Sequence, residues 1–259
     1  MNTFHIVILS IVEGITEFLP VSSTAHIDIT RELLGILSTD FIKSFEITIQ
    51  LGAICAVLFL YGKRVLKSAR YIRNVVISFI PTGIIGFFLY KIIKGFLLGN
   101  ILLSASMLIL GGIIIIIFER KNKNEIIDPS ISIETLSIRK LLILGVAQAL
   151  AVIPGVSRSG AVIIGGRALG ISKNIITEFS FVLAVPTMLA AVVYDLYKSG
   201  FAFTNLQWVD IALGFIVSFI VAFVVIKWLL SYIKTHSFEF FGWYRIVIGA
   251  IIIIYISLF

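Results

Sequence analysis

Residues 13–26 read Glu-Gly-Ile-Thr-Glu-Phe-Leu-Pro-Val-Ser-Ser-Thr-Ala-His, and this stretch decides the fold. It places two carboxylates, a proline, three hydroxyls and a histidine inside a segment (residues 1–37) that also holds the apolar runs Ile6-Val7-Ile8-Leu9 and Phe18-Leu19. The residue before a proline disfavours helix, so Leu19-Pro20 divides the segment into helix, break, helix. A second segment, 139–170, is divided in the same way at Pro154-Gly155-Val156-Ser157-Arg158-Ser159-Gly160. The two match at an offset of 135, Val21-Ser22-Ser23-Thr24-Ala25 on Val156-Ser157-Arg158-Ser159-Gly160 and Glu13 on Gln148. Each half-segment has about 16 residues, roughly 24 Å of helix, which is marginal for crossing a bilayer.

The rest of the chain says what surrounds these breaks. Of 259 residues, 59% are apolar and 14% are charged, with a mean hydropathy of +1.10. A soluble domain carries about 25% charge, so one soluble core is excluded, and the same composition excludes disorder. The apolar runs are long and do not alternate, which argues against a membrane β-barrel. Lipid requires backbone groups to be paired within their own segment, so the expected form is helix. Six runs are long enough to span: 41–61, 72–93, 101–118, 175–196, 209–232 and 243–259. Three follow each broken segment.

The expected architecture is therefore an all-α integral membrane protein, with six transmembrane helices plus two re-entrant broken-helix pairs in an inverted-topology repeat. It forms one membrane domain, 1–259. Repeat one covers about 1–118 (re-entrant over 1–37), a polar cytoplasmic loop covers 119–138, and repeat two covers about 139–259 (re-entrant over 139–170). Lys and Arg collect at 62–73 and 120–140, which predicts that both loops are cytoplasmic. The net charge of +7 thus orients a membrane protein and does not point to nucleic acid. One cysteine, Cys55, permits neither an internal disulfide nor a metal cluster.

Charges inside a bilayer are costly and usually functional. Glu13 and Glu17 are four apart and share a helix face. Two like charges in a dry site repel, and a divalent cation held by carboxylates and phosphates relieves this. Ser22, Ser23 and Thr24 follow the break, where they serve as helix caps or, with the free N–H groups of a helix start, as an anion site. His26 lies within a turn of them. A Ser near a His and a Glu suits an activated nucleophile; the alternative is a packing histidine. Arg158 follows a 17-residue stretch without charge. Its planar fork suits phosphate oxygens, with Ser157, Ser159 and the backbone at Gly155 and Gly160 as further donors. The alternative is a salt bridge to Glu13 or Glu17. Among weaker signals, Glu46 and Gln50 support the site or face a helix contact, Glu178 caps a span, and Asp195 lies at the membrane interface. Gly111-Gly112 and Gly165-Gly166 serve close helix packing.

With Phe45-Glu46-Ile47-Thr48-Ile49-Gln50-Leu51-Gly52-Ala53, Glu178-Phe179-Ser180-Phe181 and Phe241-Gly242-Trp243-Tyr244-Arg245, the two break motifs resemble the undecaprenyl-diphosphate phosphatases, also called bacitracin-resistance proteins. The resemblance runs from about residue 6 to residue 255. It implies a multi-pass enzyme of the bacterial plasma membrane that hydrolyses undecaprenyl diphosphate to undecaprenyl phosphate, the lipid carrier of cell-wall precursors, and so confers bacitracin resistance. It further implies a divalent cation, Mg²⁺ or Ca²⁺, a site open to the outer face, and a possible homodimer. Carried over residue by residue, it makes Glu13 and Glu17 the essential acidic pair and metal ligands. Ser23, with Ser22 and Thr24 beside it, matches the proposed nucleophile. His26 matches an acid, base or nucleophile. Arg158, flanked by Ser157 and Ser159 and near Gly155, matches the diphosphate clamp. Three positions depart from the pattern: Val162 stands for Thr, Ala25 for Gly, and Asp28 for an apolar residue, where it adds a metal ligand or perturbs His26. The type-2 phosphatidic acid phosphatases handle similar lipids, but their Arg-Pro signature is absent, since the prolines follow Leu, Ile, Asp, Ile and Val. The rival of a different class is a polyprenyl-phosphate carrier or flippase, which inverted repeats also suit.

Overall fold

The computed structural model describes residues 2–37, 39–92, 97, 99–123, 131–199 and 203–258. Among them, two short helices followed by three long ones occur twice over. The first set is α1 (Thr3–Thr16), α2 (Ser23–Leu33), α3 (Asp40–Val65), α4 (Ala69–Ile92) and α5 (Ile101–Lys121). The second is α6 (Ile138–Ala149), α7 (Arg158–Ala168), α8 (Lys173–Ser199), α9 (Asn205–Tyr232) and α10 (Glu239–Leu258). The described residues contain no strand. Six long helices are apolar and long enough to cross a membrane, and they overlap the six expected spans. Ile93, Phe259 and loop residues 124–130 lie outside the described residues. The short helices have 14, 11, 12 and 11 residues. At helical rise these measure about 16–21 Å, too short for a hydrocarbon layer of about 30 Å.

Local chemistry sets the boundaries. Asn2, Thr39, Asn100, Ser137 and Thr204 each accept a backbone N–H of the first turn of the helix that follows. α2 and α7 both stop at a glycine in the left-handed region, Gly35 (φ 63°) and Gly170 (φ 80°), again 135 residues apart.

The first short helix of each half packs on the long helix two places from the end of the other half: α1 on α9, and α6 on α4. α3 lies against its counterpart α8, and α5 against α10. The glycine pairs serve this packing. Gly111 and Gly112 let α5 approach Arg245 and Gly242 on α10, and Gly166 sits against Ile176.

Two expectations for charged residues are corrected, and a third gains a partner. Asp195, at the end of the candidate span Lys173–Asp195, is buried and accepts a hydrogen bond from Ser44 Oγ at 2.7 Å. Glu178 does not cap α8; it sits in the second turn and pairs with Arg64 of α3 at 2.9 Å. Glu119 does not open the polar loop. It is buried on α5 and pairs with the buried Arg167 of α7. Asp195 and Glu119 are carboxylates in an apolar body that have found donors on other helices, and Glu178 has found one nearer the surface; no local pattern encodes these pairings.

One side chain ties the halves together. Arg245 is completely buried and donates to five carbonyls, those of Pro20 (2.9 Å), Gly155 (2.8 Å), Val156 (3.1 Å), Met107 (3.1 Å) and Leu108 (3.3 Å). Lysine has three donors, so Arg245→Lys leaves at least two of those carbonyls unanswered, at about 1–3 kcal/mol each. Melting of the detergent-solubilised variant is expected well below wild type. An unchanged melting temperature contradicts this role.

Candidate active site

The two breaks meet. α1 ends at Glu17, a tight turn follows in which Val21 N–H donates to the Leu19 carbonyl (2.7 Å), and α2 begins at Ser23. In the second half α6 passes through a 3-10 turn at Leu150–Val152 before α7 begins at Arg158. Ser159 Oγ donates across to the Leu19 carbonyl at 2.9 Å. Two non-glycine residues with positive φ occur among the described residues, Ser22 (71°) and Ser157 (73°), at equivalent points of the two breaks. Such backbone persists only where the surroundings hold it, and it collects at functional sites. The equivalence ends at the hydroxyls. Ser157 Oγ caps α7 by accepting Gly160 N–H (3.2 Å), whereas Ser22 makes no side-chain cap. The first amides of α2 therefore lack a cap and point from the positive end of the helix.

Glu17 joins the two halves chemically. Ser23 Oγ donates to its Oε2 at 2.5 Å, and Arg158 Nη2 donates to its Oε1 at 2.9 Å. Arg158 Nη1 donates to the Ser180 carbonyl at 2.6 Å, and its Nε, also buried, has no acceptor among the described residues. Glu17, Ser22, Ser23, Thr24, Gly155, Ser157 and Arg158 line one cavity of about 530 Å³, with Phe79, Phe87, Met188 and Ala191 among its apolar walls.

Three expected residues lie apart from that cavity. Glu13 is completely buried, and neither of its carboxylate oxygens meets an N–H or O–H donor among the described residues. The charges that act on it are Glu17, Glu46 and Arg158. Ser159 commits its hydroxyl to Leu19 and to Ser157 Oγ (3.2 Å). His26 bonds none of the three neighbouring hydroxyls; it faces the Ser22 carbonyl and the Tyr244 hydroxyl.

The model of one family, bacitracin resistance protein BacA, matches residues 6–251. This chain belongs to that family. It is similar to the undecaprenyl-diphosphatase of Aquifex aeolicus, with 51% identity over 97% of both chains. It is likewise similar to that of a Sulfurihydrogenibium species, with 49% identity over 96% of this chain and 97% of the relative. The relative from Wolinella succinogenes is 44% identical over the full length of both chains.

Within this BacA-family body, sequence reading missed a second charged group in the cavity wall. Arg31 on α2 pairs with Asp28 (3.2 Å) and, through Nε, with Glu46 of α3 (3.3 Å), and all three line the cavity beside Lys43. The spacing Asp28-x-x-Arg31 on a helix was the available signal. The partner of Asp28 here is Arg31, and the charge that acts on His26 is Arg245. Of the other two departures, Val162 is completely buried in the main hydrophobic cluster, where its methyl groups pack against neighbours, and Ala25 is completely buried in a smaller one. Arg31→Met leaves the buried Asp28 and the half-buried Glu46 without their shared guanidinium. The expected cost is about 3–5 kcal/mol, read as a lowered melting temperature, with recovery when Asp28→Asn and Glu46→Gln are added. A stable single variant argues against a structural ion-pair group.

Proposed function

We propose that this chain is an undecaprenyl-diphosphatase, which hydrolyses undecaprenyl diphosphate to undecaprenyl phosphate and inorganic phosphate and so counters bacitracin. The observation that carries this reading is the line Ser23–Glu17–Arg158, closed by hydrogen bonds of 2.5 and 2.9 Å on the wall of a cavity with apolar sides. That its relatives are undecaprenyl-diphosphatases supports the same substrate.

The diphosphate enters between the two breaks while the prenyl tail lies along the apolar walls. The unpaired Nε of Arg158, the uncapped amides of α2, and Ser157 and Thr24 bind its oxygens. Phosphoryl transfer is mostly positioning and charge stabilisation. Ser23 Oγ attacks the terminal phosphorus and its proton passes to Glu17. The bond from that phosphorus to the bridging oxygen breaks, and undecaprenyl phosphate leaves with the electron pair and takes the proton held by Glu17. Water then attacks the phosphoserine and gives a proton to the freed Glu17 carboxylate. Glu17 passes that proton to the serine oxygen as its bond to phosphorus breaks, and inorganic phosphate departs.

The residues present suit a divalent cation, Mg²⁺ or Ca²⁺, to a limited extent. Glu13 offers two buried oxygens without donors, Glu17 lies one turn away, and the described residues form no larger cluster of acidic, His or Cys ligands. Glu13 and Glu17 would be its protein ligands, and a cation held there would offset the charge of the diphosphate. The plasma membrane is the proposed location, with the cavity open to the outer face and the two halves inverted relative to each other. The exchange of helices between halves is also a carrier architecture. Transfer of polyprenyl phosphate is therefore the competing reading.

Purified protein in detergent, given a prenyl diphosphate and Mg²⁺, is expected to release phosphate. Glu17→Gln is expected to lose about 10²–10⁴-fold, the usual contribution of a positioned base. Ser23→Ala is expected to lose at least as much, and a fully active Ser23→Ala ends the serine mechanism. A chelator is expected to stop the wild type, and Glu13→Gln to raise the cation concentration needed for half-maximal rate. Lipid transfer that survives Glu17→Gln in vesicles, with no phosphate released by wild type, favours the carrier.

A further inference from the structure

Both ring nitrogens of His26 are engaged away from the reaction cavity. Nδ1 lies 2.8 Å from the Ser22 carbonyl, and Nε2 lies 2.8 Å from the Tyr244 hydroxyl on α10. A carbonyl oxygen only accepts, so Nδ1 carries the hydrogen. The Tyr244 hydroxyl then donates to the lone pair on Nε2. The two rings lie parallel within 7°, with centroids 5.6 Å apart. This ring has no free lone pair for the Ser23 proton and no free N–H for a leaving oxygen, and it is not among the residues lining the cavity.

What the ring holds is the backbone just before the nucleophile. Ser22, at φ 71°, is the strained residue directly preceding Ser23. Its carbonyl accepts from the ring Nδ1–H and from the backbone N–H of His26 (3.3 Å). Two residues earlier, the Pro20 carbonyl accepts from Arg245, the neighbour of Tyr244 on α10. One helix therefore grips the turn at both ends, directly through Arg245 and through His26 by way of Tyr244.

We propose that Tyr244, acting through His26, is a positioning residue of the phosphatase reaction: the pair fixes the Ser22 peptide so that Ser23 Oγ stays on Glu17, and His26 transfers no proton. This rests on the reading of Ser23 as nucleophile given above.

Conservative variants separate positioning from proton transfer. The amide nitrogen of Asn occupies the place of Nδ1 and keeps the bond to Ser22; that of Gln reaches only the place of Nε2. His26→Asn is expected to retain phosphate release within about tenfold of wild type, the scale of one hydrogen bond, with KM unchanged. His26→Gln is expected to fall further. Tyr244→Phe is expected to resemble His26→Asn, and the two together to be no worse than either. A proton-transferring histidine contributes about 10²–10⁴-fold, so it predicts equal and severe loss with Asn and Gln.

The pH profile of kcat/KM gives a second readout. Arg245 is the charged group that acts on the ring, and Tyr244 is its titratable contact. The positioning role predicts a profile of the same shape in wild type and His26→Asn. A lost limb, or a folded His26→Asn with wild-type melting and no turnover, overturns the proposal. Should His26→Asn not fold, Tyr244→Phe decides. A lower kcat with unmoved limbs supports positioning, and a displaced limb overturns it. An inactive wild type is a failure of the phosphatase reading itself, which these comparisons keep separate.

Discussion

The guanidinium of Arg245 is the constraint on which the site depends. Breaking a helix inside a membrane frees carbonyls and amides that lipid does not satisfy. Here three freed carbonyls, of Pro20, Gly155 and Val156, converge on one side chain from the last helix. Because the same group also bonds Met107 and Leu108 of α5, the breaks are referenced to the α5–α10 pair and not merely to each other. The distance between Ser23, on one break, and Arg158, on the other, is then set by a rigid body. Close approach contributes to this. Gly111 leaves the space that the guanidinium fills, and Gly155 adopts φ 89° where a Cβ would strike the backbone of Ser104.

A repeated scaffold supplies the geometry, and departures from repetition supply the chemistry. The strained serines, the 11-residue helices after them and the terminating glycines all recur at one offset. At the same offset Ser23 faces Arg158 and Glu13 faces Gln148. Gln148 donates to Thr82 and Thr187 and holds α4, α6 and α8 together, a structural use of the position that Glu13 occupies with charge. The uncapped start of α2 against the capped start of α7 follows the same division. In the proposed reaction one half thus supplies nucleophile and carboxylates, and the other supplies the guanidinium of Arg158.

Features that depend on nearby residues were legible in the sequence. The six long helices follow from apolar runs, the breaks from Pro20 and Pro154, and Glu17, Ser23 and Arg158 from charge and hydroxyls at those breaks. Partners remote in sequence were not. Arg245 appeared as the end of a motif with no stated role, because its acceptors are backbone carbonyls, which carry no residue signal. Asp195 with Ser44 and Glu119 with Arg167 are joined across helices, so each acid read as surface until its donor was known. His26 was expected beside the hydroxyls on spacing alone. The turn instead directs its ring toward Tyr244, 218 positions away.

Charge balance then bears on the cation. Arg31 lies between Asp28 and Glu46, so its charge is already offset within its own cluster. Arg158 answers Glu17, and Glu13 remains with two oxygens that meet no donor among the described residues. In the proposed reaction an arriving diphosphate would add further negative charge to a cavity behind whose wall this acid lies. In a low-dielectric site such charges are costly to assemble, and either a proton or a cation at Glu13 would relieve that cost while leaving Glu17 as the proposed base. The proposed divalent cation, held by Glu13, would offset that charge and leave Glu17 to act as the proposed base. The burial of Glu13 behind the cavity wall, away from the donors described here, is the feature on which that proposal rests.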